Sequence, residues 1–182
     1  MFKKILIGLG SLAAVLAIAA FIFTKITKSK SPAAIATINA DGFTVKVEYC
    51  QPSKKDRVVF GALTSVQKAL CPYGEVWRTG ANEATLITFS QDATIAGKPI
   101  KKGTYTLWTM PDPAAWTIII NAETGQWGTQ YDKTKDVLRV EVPAGTNPQV
   151  QEQFVIGFKT QTDGADMVLR WDNAEITVPI RK

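Results

Sequence analysis

From Phe43 onward, apolar side chains recur at every second position in short runs, a spacing that puts each set on one face of a strand and scatters it around a helix. Phe43, Val45, Val47 and Tyr49 alternate with Thr44, Lys46 and Glu48. The Asp41-Gly42 pair ahead of them is the chemistry of a tight hairpin turn from the preceding run. The same reading predicts strands over 57–60, 84–90, 94–96, 104–110, 116–121, 137–142, 153–160, 166–171 and 175–180. Turn residues separate most of them: Ala96-Gly97-Lys98-Pro99, Pro111-Asp112-Pro113, Asp163-Gly164 and Asp172-Asn173. Only Ala62 to Leu70 reads as a short helix, and no internal repeat is visible. Short strands joined by tight turns define an all-β chain, an antiparallel β-sandwich or open barrel over residues 33–182. Alternation turns Leu138, Val140 and Val142 inward, with Phe154, Ile156 and Phe158, then Met167, Leu169 and Trp171, then Ile176, Val178 and Ile180.

One N-terminal hydrophobic helix is expected to precede this domain. Ile5 to Phe23 carries no charge and would span about 28 Å as a helix, close to the thickness of a bilayer core. Residues 1–24 therefore read as a signal anchor, or as a signal peptide cut near Ala17-Ile18-Ala19. Phe21, Ile22 and Phe23 would leave an apolar new N-terminus, which favours the uncleaved anchor. Residues 25–32 are a Lys- and Ser-rich tether. Both readings export the domain: the anchor holds it in the cell envelope, facing outside the cytoplasm with the membrane as a partner through the helix, and the alternative is export after signal cleavage.

Charge excludes one class of partner. The formal net charge is +5, and the five lysines of residues 1–30 account for all of it, leaving 16 basic and 16 acidic residues in the rest. A neutral domain offers no basic face for nucleic acid. The chain has no His, which removes Ser-His-Asp and Cys-His catalysis and imidazole metal sites. No P-loop, GxSxG or HExxH occurs, and nothing calls for a metal or a cofactor. Cys50 and Cys71 are the only cysteines, and an even pair in an exported domain predicts a disulfide. The alternative is two separate buried thiols.

The densest chemistry lies in the loop Pro72 to Thr85. Two glycines there would let the backbone present Arg78, Asn82 and Glu83 to a polar ligand, with Trp77 as a flat apolar face. Trp127, between Gly125 and Gly128, is the tryptophan best placed to line a pocket, whereas Trp116 and Trp171 read as core. The competing reading of this loop is structural, with Arg78 and Glu83 joined in a partly buried ion pair and Trp77 packed in the core. Glu83 with Asp132 or Asp136 could form a catalytic carboxylate pair, against a plain reading of 132–136 as a solvated turn.

Several of these segments together resemble the bacterial domain of unknown function 2911 family, whose members are mostly exported. The likeness runs from about Ile35 to Ile180. It is carried by Tyr49 with Pro52 and Arg57, by PYGEVWRTGANEAT (72–85), KKGTYTLWTMP (101–111), WTIIIN (116–121), QWGTQYD (126–132), KDVLRVEV (135–142) and VLRWDN, which ends at Asn173. The resemblance implies a β-rich exported domain and brings no established activity. Three functional expectations follow. The first is an envelope β-domain binding a small polar or carbohydrate-like ligand through Trp77, Arg78, Asn82, Glu83 and Trp127. The others are a structural or protein-interaction module and a carboxylate-based hydrolase.

Overall fold

The computed structural model describes residues 15–16, 18–19, 27–63 and 68–182. The β-rich expectation holds. In chain order the strands are β1 (Ala33–Ala40), β2 (Phe43–Cys50), β3 (Phe60–Gly61), β4 (Cys71–Pro72), β5 (Thr85–Phe89), β6 (Ala93–Ile95), β7 (Lys98–Ile100), β8 (Gly103–Met110), β9 (Ala115–Asn121), β10 (Asp136–Pro143), β11 (Gly145–Gln161) and β12 (Gly164–Arg181). One antiparallel sheet has the order β1-β2-β5-β8-β9-β10 and the second β11-β12-β6-β7, while β3 and β4 form a short parallel pair. Neither large sheet closes on itself.

The inner faces of both sheets share one core, in which Phe43, Val45, Val47 and Ile87 meet Ile156, Met167, Leu169, Ile176 and Val178. Each such side chain contributes about 1.5–3 kcal/mol on full burial. The sets expected to face inward do so, except that Phe158 is only partly buried. Asp41 and Gly42 turn β1 into β2 at φ 50° and 80°, both positive, as that hairpin requires.

Four local expectations are corrected. Asp172-Asn173 does not reverse the chain: β12 runs through it, and Asp172 takes φ 53° opposite Gln151, with register shifts on both sides. The Asx pair is absorbed in a bulged ladder instead of a turn. Lys98 and Pro99 belong to β7, because Ala96 and Gly97 alone complete the preceding turn at φ 45° and 81°. The strand expected over 57–60 shrinks to Phe60–Gly61, since Arg57 spends its guanidinium on the carbonyls of Ser53 and Lys54. In the segment read as a helix over 62–70, residues 64–67 lie outside the described part, and Leu63 and Lys68 flank them as an antiparallel bridge. The anchor or signal peptide over 1–24 lies almost wholly outside the described residues. Among the described residues no helix is long and apolar enough to cross a membrane.

A second, smaller apolar cluster joins Trp108, Ile119 and Ala84 to Val76 and Tyr131. The segment 132–136 is only half a solvated turn. Asp132 caps a 3-10 turn at Lys133–Lys135, but the Asp136 side chain is 10% exposed and accepts hydrogen bonds from Tyr131 Oη (2.6 Å), Arg139 Nε (2.7 Å) and Asn121 Nδ2 (2.8 Å). Burial, helped by the Asp136 carboxylate, pushes the Tyr131 hydroxyl up to about 12. Asp136→Ala removes the acceptor of Arg139 Nε and of Tyr131 Oη and leaves Asn121 Nδ2 only the Asp132 carbonyl. It should cost roughly 3 kcal/mol and lower the melting temperature by about 6–12 °C, read by calorimetry.

Candidate functional site

The loop leading to β5 is built from its hydrogen bonds. Trp77 exchanges backbone bonds with Thr109 of β8 (2.7 and 2.9 Å), and its indole N–H donates to the Gly80 carbonyl at 3.0 Å. Thr79 is fully buried, with its hydroxyl on Thr109 Oγ1 (3.1 Å) and its carbonyl held by Thr85 Oγ1 (2.9 Å). Those contacts hold Thr79 and Asn82 at φ 51° and 62°. Asn tolerates that region, whereas for β-branched Thr it costs on the order of 1–2 kcal/mol. Gly80 has no room for a side chain, because a Cβ there would meet the Cys50 carbonyl and Thr85 Oγ1 at 3.0 Å.

This loop forms one wall of a cleft of about 540 Å³. Trp77, Cys71 and Trp171 are buried along it, and Arg78 and Asn82 line it beside them. The facing wall is the turn carrying Ser53, Lys55 and Arg57, and the tether contributes Thr27, Lys30 and Ser31. That turn is fastened by Lys54, which pairs with Asp172 at 2.7 Å, and by the bonds from Arg57 to the Ser53 and Lys54 carbonyls.

Among the described residues, four cations line the cleft, Lys30, Lys55, Arg57 and Arg78, and no carboxylate does. Nearby acids are engaged elsewhere. Glu83 pairs with Lys28 at 2.8 Å, Glu152 accepts the Lys55 backbone N–H, and Asp172 holds Lys54. Arg78 is half-buried. Among the described residues no carboxylate comes within salt-bridge distance of it, and its one hydrogen bond goes to the Asn82 carbonyl at 3.2 Å. Burial lowers its pKa from the ordinary guanidinium value. Its side chain lies across Gly128, where a Cβ would run into Arg78 Cδ and come within 2.8 Å of Nε. Asn82 is 8% exposed; its side chain lies against the Cys50 thiol, and among the described residues its buried amide nitrogen reaches no hydrogen-bonding oxygen.

Of the five expected ligand-binding residues, the cleft brings together Trp77, Arg78 and Asn82. Glu83 and Trp127 do not line it. They form a backbone bridge to each other, with Trp127 half-buried and Glu83 held by the tether. The Arg78–Glu83 pair of the structural reading is not formed, because Lys28 takes the carboxylate. Trp116 and Trp171 are core residues as expected, and Trp77, expected as a ligand face, is buried in the same core as the structural reading had it. The expected disulfide is also absent. Cys50 and Cys71 are free buried thiols, Cys50 beside the Glu83 carboxylate (3.8 Å) and Cys71 on β4, where burial drives its pKa far up. Sequence reasoning missed Lys30, Lys55 and Arg57. The run Ser53-Lys54-Lys55-Asp56-Arg57 is a visible cationic turn, but nothing local says that it faces Arg78.

A second hollow of about 300 Å³ opens among Phe60, Tyr73, Trp116, Asp112 and Asn173. Its acidic rim includes Asp172, already neutralised by Lys54. Among the described residues no group of His, Cys, Asp and Glu could hold a metal ion.

Fold and site together define a two-sheet β-domain with a cation-lined cleft between one loop and its own tether. The family model for proteins of unknown function DUF2911 matches residues 31–180, and the chain belongs to that family. No curated protein and no solved structure matches it.

Two measurements check this geometry. Burial pushes the Glu83 carboxyl up, but the hydrogen bond and charge of Lys28 outweigh it and hold the pKa below the usual range. The pair's stabilisation is thus present above the unfolded-state pKa and lost as pH falls below about 4. In an NMR titration Glu83 should move up in Lys28→Gln. With both thiols free, adding reductant should leave the melting temperature unchanged, whereas a bridge closing this loop would take roughly 3 kcal/mol with it when reduced.

Proposed function

We propose that this chain is a ligand-binding module of the cell envelope whose cleft takes a small polar ligand through an anionic group. The observation that carries the reading is Arg78: a half-buried guanidinium that lies across Gly128, with no carboxylate within salt-bridge distance among the described residues and three further cations around the same space. A desolvated cation without a counter-charge is costly to a folded protein, and a ligand carboxylate or phosphate would offset that cost. Strain at Thr79 and an Asn82 amide whose nitrogen reaches no hydrogen-bonding oxygen among the described residues accumulate in the same loop, as they do where backbone geometry serves binding. Trp77 and Trp171 supply an apolar wall that would orient the rest of the ligand.

The hydrolase alternative loses its support, since Glu83 is held by Lys28 and Asp136 by three partners. An interaction module draws on β1, an uncharged edge strand with Ile35 66% exposed, which could pair with another chain.

Melting curves of wild type and Arg78→Met separate ligand binding from structure. Without ligand the variant should melt at or above wild type, because an unpaired desolvated charge has been removed. Succinate, gluconate, sulfate or phosphate at matched ionic strength should raise the melting temperature of wild type more than that of the variant. A variant that melts more than about 6 °C below wild type, with no anion distinguishing the two, would make Arg78 a structural residue.

A further inference from the structure

We propose that the group recognised in the cleft is a phosphoryl group, gripped between Arg57 and Arg78 of the domain and Lys30 of the tether. This rests on the anion-binding reading above and narrows it. Charge is the first argument. Lys30, Lys55, Arg57 and Arg78 line one space with no acid among them. A single carboxylate would leave most of that charge uncompensated, whereas a phosphate monoester carries about −1.5 to −2 at pH 7 and three acceptor oxygens. The N–H groups of Arg78 not on Asn82, and those of Arg57 not used on Ser53 and Lys54, suit those oxygens, and lysines add point charge.

The tether is the second argument, because the site is incomplete without it. Thr27, Lys30 and Ser31 form part of the cleft, and the Lys28–Glu83 pair fastens this segment beside Asn82. Glu83 is therefore a positioning residue that keeps Lys30 over the cleft. The apolar run ends at Phe23, four residues before Thr27. Whatever the chain does in between, Thr27 lies within roughly 14 Å of Phe23. If the apolar run sits in a bilayer, the cleft opens at the depth of lipid phosphates. The phosphoryl group thus has two sources, a soluble phosphate ester or an anionic headgroup, with the same chemistry.

The test uses the full chain in nanodiscs of phosphatidylcholine, titrated with inorganic phosphate, glycerol 1-phosphate and succinate at constant ionic strength. Tryptophan emission and melting temperature are the readouts. Phosphate and glycerol phosphate should bind more tightly than succinate. Arg78→Gln should weaken them about tenfold or more. Lys30→Gln, on the surface, should weaken them several-fold without lowering the ligand-free melting temperature, and Glu83→Gln should weaken them several-fold while lowering that temperature only by the small loss of its pair with Lys28. Tight Arg78-dependent binding of succinate with no preference for phosphate would overturn the phosphoryl assignment and leave the anion cleft standing. If no anion distinguishes wild type from Arg78→Gln, both readings fall. Phosphate binding unaffected by Lys30→Gln and Glu83→Gln would overturn the role of the tether. Phosphatidylglycerol in the disc separates the sources: if it competes with glycerol phosphate in wild type and not in Arg78→Gln, the headgroup is the ligand, and if glycerol phosphate binds equally in both discs, the ligand is soluble.

Discussion

The two sheets meet through five aromatic rings, and the cleft is set against them. Trp116 comes from the six-stranded sheet, Phe154 and Trp171 from the four-stranded one, Phe60 from the short parallel pair and Trp77 from the loop. Trp77 stacks on Trp171 with centroids 5.6 Å apart and a 24° interplanar angle, and meets Phe60, Phe154 and Trp116 edge to face at 4.9–6.3 Å. Each such pair adds about 0.5–1.5 kcal/mol beyond its area burial. Their larger effect is geometric. With its ring wedged between both sheets and its N–H on Gly80, Trp77 gives the following residues little freedom, so Arg78 and Asn82 are presented from a fixed base.

That fixed base carries features that lower stability. Among the described residues, Thr79 sits at positive φ, the Asn82 amide nitrogen reaches no hydrogen-bonding oxygen, and Arg78 is half-buried with no carboxylate within salt-bridge distance. A well-packed protein of this kind could shed each of them by substitution. Their concentration within five residues, against a space lined with further cations, distinguishes this loop from the Asp136 network on the neighbouring apolar cluster. There every polar group is paired and the role is structural.

Much of the fold was legible because strand periodicity is local. The inward sets on β10, β11 and β12 follow from a spacing of two, and the Asp41-Gly42 and Ala96-Gly97 turns follow from residues that accept positive φ. Reading failed where the same local signal has two tertiary outcomes. Asp172-Asn173 has turn chemistry, yet pairing with β11 and then β6 holds β12 continuous across it. Half of the site was legible for a similar reason. Trp77, Arg78 and Asn82 sit close in sequence and stay close in space, while Glu83, on the same short loop, is turned to Lys28 by the backbone bridge to Trp127.

By itself the sequence determined a β-rich domain, its neutral charge, the absence of imidazole chemistry and the loop in which unusual side chains gather, because composition and period-two spacing are properties of the chain alone. Only the tertiary structure decided which partner each of those side chains meets. It gave Glu83 to the tether, left Cys50 and Cys71 apart, and brought the turn of Lys55 and Arg57 across from Arg78. Ion pairing, disulfide formation and a shared cleft depend on distances between segments tens of residues apart. Those distances are set by sheet order and aromatic packing, which no local pattern encodes.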